Sequence, residues 1–495
     1  MNVRKKGIII EILIYKKIIL RFLDCYILHS NLISRETKMK SNRSSKILLI
    51  SIFALWTVMS CGGDEPKDPP DIPDIPDEEI IDEELLDLTQ RETFRYFWDY
   101  AESNSGAARE RFHPDNPSFD ANIVTSGGTG FGLMSILVGI DRNFVSRAEG
   151  AQRLDKILTF LASADRFHGA WSHWIDGNTG KVIPFGNKDD GGDLVETAFL
   201  CQGLICVKEY FKDGTDLEKQ LAQKADQLWK GVEWDWYTQG EDALYWHWSP
   251  NYDFSINFKL SGYNEVLITY IMAAASVDHS ISKEAYSSGW ANDGSIKSDQ
   301  ITYGIPLLVK HNGARTYGGP LFWAHYSYLG LNPNGLQDEF VNYWDVNKNH
   351  SKVNYQYCVD NPKNFPEYGE SCWGLTASYS RNADGSMGYS AHAPGNDLGI
   401  VSPTAALSSM PYTPEESLKA LRYFYDNKNK LLGPAGFYDA FKPGSTWVAK
   451  GYLAIDQGPT VVMIENHRTG LLWNLFMQNE DVQKGLDKLE FSYLK

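Results

Sequence analysis

Six nearly unbroken apolar runs, each preceded by a short polar turn rich in Gly, Ser or Pro, limit how this chain can fold. They cover 131–140 after Ser126-Gly127-Gly128-Thr129-Gly130, 194–207 after Lys188-Asp189-Asp190-Gly191-Gly192-Asp193, and 266–275 after Ser261-Gly262-Tyr263-Asn264-Glu265. The others are 321–328 after Tyr317-Gly318-Gly319-Pro320, 405–410 after Ser402-Pro403-Thr404, and 460–464 after Asp456-Gln457-Gly458-Pro459. A helix apolar on nearly every side must be wrapped by other helices. Pro320, Pro403 and Pro459 suit the first helical position, and Ser402 an N-cap.

Amphipathic segments fall between these runs, at 84–102, 146–164, 216–231, 283–290, 337–359 (broken) and 414–427. Alternating buried and half-buried helices predict an all-α fold, an (α/α)6 toroid with six inner and six outer helices, in one domain over 85–495.

The first sixty residues belong to another category. A basic stretch at 39–46, an apolar stretch at 47–56 and Val58-Met59-Ser60-Cys61 read as a lipoprotein signal peptide over 39–60, with Cys61 lipidated. The apolar stretch is too short to span a membrane as a helix. Residues 1–38 then precede the expected start, as an upstream extension. The acidic, Pro-rich segment 61–84 cannot build a core and reads as a tether. Asp64 and Glu65 resemble the surface-export signal of Bacteroidetes lipoproteins. The expected location is the outer membrane, lipid-anchored and either surface-exposed or facing the periplasm.

The formal charge of −16 becomes −24 once residues 1–60 are set aside, and −14 without the tether at 62–84. Such a field repels nucleic acid and uronate polymers and favours a neutral glucan or oligosaccharide, bound by a monomer. Aromatic side chains are dense, with 15 Trp and 27 Tyr, and cluster in Trp171-Ser172-His173-Trp174, Trp234-Asp235-Trp236-Tyr237 and Tyr245-Trp246-His247-Trp248. Flat amphipathic rings beside acids and amides suit a sugar cleft. Most of the tryptophans should pack helices; Trp171, Trp174 and Trp373 are the ones expected to face ligand.

No metal or cofactor is expected. The chain lacks H-E-x-x-H, EF-hand and Walker A spacing, and Gly127-Gly128-Thr129-Gly130 has no lysine to bind phosphate. Cys201 and Cys206 read as buried free thiols; pairing of Cys358 with Cys372 is left open. Acid–base chemistry remains, and glycoside hydrolysis needs two carboxyl groups on opposite sides of the bond. In a ring of six, the third and sixth inner helices face each other, and their polar turns hold Glu265 and Asp456. Burial would keep Glu265 protonated as general acid, while the helix N-terminus would favour the charged form of Asp456 as base. Asp193 and Glu196, one turn apart on one helix, are the rival catalytic pair.

The stretch Asp189-Asp190-Gly191-Gly192-Asp193-Leu194-Val195-Glu196-Thr197, with Ser261-Gly262-Tyr263-Asn264-Glu265, Asp456-Gln457-Gly458-Pro459 and Glu465-Asn466-His467-Arg468-Thr469-Gly470, resembles the bacterial "putative glucoamylase" domain family. That glycoside-hydrolase family includes the bacterial endo-β-1,2-glucanases. The resemblance, over 85–495, implies an (α/α)6 fold and inverting hydrolysis of β-1,2-glucan to sophorose and short sophoro-oligosaccharides without a metal. It implies Glu265 and Asp456 as the functional acids and Asp189, Asp193 and Glu196 as cleft residues. Around them, Trp171, His173, Trp174, Arg315, Trp373, Glu465 and Arg468 are expected to bind substrate. A non-catalytic glycan-capture lipoprotein, a hydrolase of another glucan linkage and a polysaccharide lyase are the competing readings.

Overall fold

A computed structural model describes residues 81–493. The expected extension, signal peptide, Cys61 lipidation site and most of the tether lie outside the described residues.

Helices alternate as the sequence patterning predicts. The chain runs through α1 (Asp82–Trp98), α2 (Ser126–Asp141), α3 (Arg147–Ser163), α4 (Leu194–Phe211), α5 (Asp216–Lys230) and α6 (Leu267–Ala275). It continues through α7 (Tyr343–Asp360), α8 (Pro403–Leu407), α9 (Pro414–Asp426), α10 (Ala454–Arg468), α11 (Leu471–Met477) and α12 (Glu480–Lys488). Every residue of α6 is buried, as is every residue of α2 except Asp141; α3, α5 and α9 bury one stripe each. Capping boxes start α3 at Ser146 and α5 at Thr215, each side chain accepting from the backbone N–H three residues on while the Glu there reaches back.

The apolar helices pack in succession, α8 against α10, α10 against α2, α2 against α4 and α4 against α6. The amphipathic ones lie outside: α1 on α2 and α10, α3 on α2, α5 on α4, α9 on α8 and α12 on α6. Where a fourth apolar helix is expected there are two 3₁₀ turns, Leu321–Ala324 and Tyr326–Tyr328. Other elements satisfy this segment's backbone. Leu321 N donates to Leu375 O, Phe322 N to Thr376 Oγ1, and Tyr326 O accepts from Gln202 Nε2 of α4, so little favours a regular helix. His325 Nε2 lies 3.0 Å from Ser409 Oγ, just past α8, and the segment thereby bridges α4 to α8.

Proline placement differs in two of three cases. Pro403 opens α8, but Pro320 precedes its 3₁₀ turn and Pro459 lies inside α10. Helix α10 begins five residues before Pro459, and Asp456 sits in its first turn. Ser402 makes no side-chain cap; its hydroxyl donates to Asp439 O instead.

Strands are short and serve the polar turns. The antiparallel set β1 (Ile123–Thr125), β2 (Trp174–Asp176) and β3 (Val182–Ile183) pairs Val124 with Ile175 and Ile175 with Val182, and β1 runs directly into α2. β4 (Gly192–Asp193) pairs with β5 (His247–Trp248) and runs into α4. A Cβ on Gly191 would lie 2.0 Å from Trp248 O, and one on Gly192 2.2 Å from the Tyr237 hydroxyl, so the two glycines let this strand pair close. Cys201, Cys206, Cys358 and Cys372 are buried free thiols. No helix among the described residues is long and apolar enough to cross a membrane.

Helices α2 and α4 meet backbone against backbone. A Cβ on Gly203 would sit 2.3 Å from Gly130 O, and one on Gly130 2.4 Å from Phe199 O. Gly203→Ala is therefore expected to destabilise the fold by about 1–3 kcal/mol, read as a lowered urea midpoint. An unchanged midpoint would show that the helices can separate freely.

Candidate active site

The polar turns before α4 and α6 bring Asp193, Glu196 and Glu265 within electrostatic reach of one another, while Asp456 pairs separately with Asp439. Asp193 is the N-cap of α4: its Oδ1 accepts from Val195 N (3.0 Å) and Glu196 N (2.9 Å), and its Oδ2 lies 3.0 Å from His173 Nδ1. Both oxygens of Asp193 are engaged, so it fixes the loop and the imidazole. Glu196, one turn on, points its Oε2 at α2, accepting from Gly127 N (2.9 Å) and Thr125 Oγ1 (3.1 Å). A Cβ on Gly127 would stand 2.4 Å from that oxygen. Burial raises the Glu196 carboxyl above its ordinary range. Asp189, also buried, holds Oδ1 3.1 Å from His247 Nε2 on β5.

His173 is the cation of this group. Burial works against its charge, but Glu196, Asp193 and Asp189 raise its pKa to about 9. Its ring stacks on Phe185 at 3.9 Å, and Trp174 stands edge-on to both.

Glu265 lies two residues before α6 and is only half-buried. Its backbone is pinned, since Ser327 Oγ donates to Glu265 O. Burial of the carboxyl, with the nearby Glu196 and Asp193 charges, pushes its pKa up to about 7.

Asp456 departs from expectation. The helix end was expected to keep it charged, yet its carboxyl is fully buried and hydrogen-bonded to that of Asp439. Burial and the Asp439 charge raise Asp456 well above the usual carboxylate range; burial also lifts Asp439, to about 6. Asp439 lies between two short strands, where its Oδ2 accepts from Tyr379 N (2.6 Å). Two buried carboxyls in contact cannot both ionise, so the pair shares one proton and one negative charge. A cavity of about 10 Å³, roughly the room one water needs, borders both acids and is lined further by Thr93, Thr404, Gln457 and Thr460.

Tyr326 connects the two groups of acids. Its hydroxyl is buried without a hydrogen-bond partner among the described residues, and it feels the charges of Asp456, Glu196 and Glu265. Tyr389, half-buried, lies beside Asp456 and Asp439. Sequence reasoning missed Asp439, Tyr326 and Tyr389. Asp439 sits in a turn with no distinguishing motif, and Tyr326 is hidden in a run read as an apolar helix.

A family model described as "Putative glucoamylase" matches residues 257–480. An endo-β-1,2-glucanase from Chitinophaga pinensis, solved with sophorotriose and glucose, is 55% identical over 84% of this chain and 99% of its own, with a TM-score of 0.81. A solved protein from Bacteroides caccae described as a "putative glucoamylase" is 54% identical over 84% of this chain and 100% of its own, also at 0.81. The chain belongs to this glucoamylase-like family. An exo-β-1,2-glucooligosaccharide sophorohydrolase from Parabacteroides distasonis is 47% identical over 83% of this chain, which spans 58% of that relative's length.

Several residues expected to bind substrate are instead packed within this fold. Trp171 is fully buried under the Arg166 guanidinium (4.0 Å), its Nε1 donating to Leu161 O. Trp373 is equally buried, its Nε1 donating to Glu416 O. Glu465 receives a bidentate Arg142 (2.7 and 2.9 Å) and Gln90 Nε2 (3.1 Å), nine residues along α10 from Asp456. Arg468 serves α1, donating to Gln90 Oε1 and Glu83. Arg315 lies exposed in the loop after His311. His173, Trp174, Asp189 and Glu196 stand together as expected.

The raised His173 pKa has a stability consequence. An imidazolium favoured by the fold stabilises it fully below an unfolded pKa near 6.5, and that contribution is lost as pH rises through about 9. Urea unfolding at pH 6.5, 7.5 and 9 should therefore show the gap between parent and His173→Gln narrowing as pH rises. A constant gap would mean His173 is not charged in the fold.

Proposed function

We propose that this protein hydrolyses β-1,2-glucan and its oligosaccharides by inversion, with Glu265 as general acid and the Asp456–Asp439 pair as base. Family membership and the names of its relatives support the substrate: one is called an endo-β-1,2-glucanase and another an exo-β-1,2-glucooligosaccharide sophorohydrolase. The observation that carries the mechanism is the Tyr326 hydroxyl, buried, unpartnered and within electrostatic reach of both Glu265 and Asp456. Tyr326 thus stands within electrostatic reach of two chemically distinct acids.

Neutral Glu265, on the more open side, donates its proton to the departing glycosidic oxygen. The singly charged pair takes a proton from the water attacking the anomeric carbon; the incoming proton lands on Asp456 as the shared one settles on Asp439. Glu196, held by Gly127 N and Thr125, and Asp189, beside His247, offer carboxylate oxygens to sugar hydroxyls, while Asp193 fixes His173. Tyr326 donates to a substrate hydroxyl between the acids.

The successive contacts of α8, α10, α2, α4 and α6, with the 321–328 segment bridging α4 to α8, support the six-fold (α/α)6 reading. A monomer anchored through Cys61 to the outer membrane is the arrangement that the signal-like segment supports. The glycan-capture alternative gives no reason for an acid pair sharing one proton in the core.

The profile of kcat/KM on β-1,2-gluco-oligosaccharides should be a narrow bell. It falls below about 6, as the pair takes up its second proton, and above about 7, as Glu265 ionises. Glu265→Gln should lower kcat/KM by about 100-fold or more and abolish the alkaline limb; near-parental turnover would remove Glu265 from the acid role. Tyr326→Phe deletes a hydroxyl without a partner, so the melting temperature should hold while kcat/KM falls about tenfold, the cost of one lost hydrogen bond to substrate. Unchanged kinetics would place Tyr326 outside the substrate site.

A further inference from the structure

The Trp234-Asp235-Trp236-Tyr237 segment is not part of the site above. Trp234 and Tyr237 are buried, but Trp236 is 42% exposed, an unusual display for an indole. The ring is nevertheless held firmly. One face stacks on His168 at 3.7 Å and 12°, and His168 is fixed in turn by Glu233 (2.9 Å) and by the edge of Trp248. Trp236 lies on the wall of a cavity of about 410 Å³, with the Phe254 ring 6.5 Å from its own at 32°. Around the cavity stand Phe254 and the hydroxyl-binding groups Glu233, Asp235, Gln239 and His279, with Asp235 Oδ1 3.0 Å from His279 Nδ1. Gly240 leaves its rim open, since a Cβ there would meet nothing within 4 Å.

We infer that this cavity is a second carbohydrate-binding site, which holds a distant stretch of the same β-1,2-glucan chain while another stretch is cleaved. A pinned, flat, partly exposed ring matches the apolar face of a glucose unit, and carboxylates with an amide at its margin match the ring's hydroxyls. Two carboxylates at the rim oppose an anionic ligand, and one indole face is far too small for a stable protein interface. The position is also suitable. Trp248, which packs against His168 and Trp236, lies on β5, and β5 pairs with β4, the strand that ends in Asp193. Trp236 is therefore linked through Trp248 to the strand that ends in Asp193. The inference rests on the glucan reading for its ligand but on none of the catalytic residues.

The test compares the parent with Trp236→Ala and Trp236→Tyr. On soluble polymeric β-1,2-glucan, Trp236→Ala should raise KM about five- to tenfold with kcat unchanged, while turnover of sophorotriose, too short to reach both sites, stays at the parental level. Trp236→Tyr should restore most of the polymer KM. Native electrophoresis through gel containing the polymer, with Glu265→Gln as background, should show less retardation for the Trp236→Ala variant. Equal retardation and an unchanged polymer KM would overturn the second site, as would parallel losses on polymer and sophorotriose. A parent inactive on both substrates would sink the catalytic reading alone, because the gel comparison still decides the binding site.

Discussion

Keeping carboxyl groups inside a helical protein demands that each be compensated, and the site is built from the different ways this is done. Asp193 is answered by backbone N–H groups at the start of α4 and by an imidazolium, Glu196 by a backbone N–H of α2 and a hydroxyl, and Asp189 by a neighbouring imidazole. Glu265 lacks a comparable set of donors and is answered by retaining its proton; Asp439 and Asp456 are answered by each other. The last of these solutions raise Glu265, Asp439 and Asp456 above the ordinary carboxylate range, and groups of raised proton affinity are what acid–base chemistry on a sugar requires. The helical packing matters because burial is what raises Glu196, Glu265, Asp439 and Asp456.

Helix positions were legible because burial leaves a periodic trace. The amphipathic segments at 146–164, 216–231 and 414–427 match α3, α5 and α9 to within a residue or two, helped by capping chemistry at Ser146 and Thr215. The 321–328 run was misread because apolarity reports burial and not backbone form; its hydrogen bonds go to Leu375, Thr376 and Gln202, partners distant in sequence. Pro459 was misread as a helix start because nothing in its own neighbourhood reveals that the preceding strand passes directly into α10.

The acids at helix starts were legible for the same local reason, whereas the roles of the aromatic and basic residues were not. Trp171 and Trp174 sit three positions apart in a polar-looking loop, yet one is covered by Arg166 and the other stands beside His173. Glu465 and Arg468 follow a site acid closely in sequence, but α10 carries them to its far end, where Arg142 and α1 meet them. Asp439 shows the converse: seventeen residues before Asp456, it is brought into contact only by the strands between them.

Helix α10 then acts as a rod clamped at one end with a functional group at the other. Nine residues separate Glu465 from Asp456, about 14 Å at 1.5 Å per residue, and the Arg142 clamp ties the far end to the C-terminus of α2. The N-terminus of α2 supplies the N–H of Gly127 to Glu196. The same two parallel struts therefore set the axial position of Asp456 and the donor geometry at Glu196, so a change that slides one past the other would detune both carboxyls together, from a surface remote from any sugar.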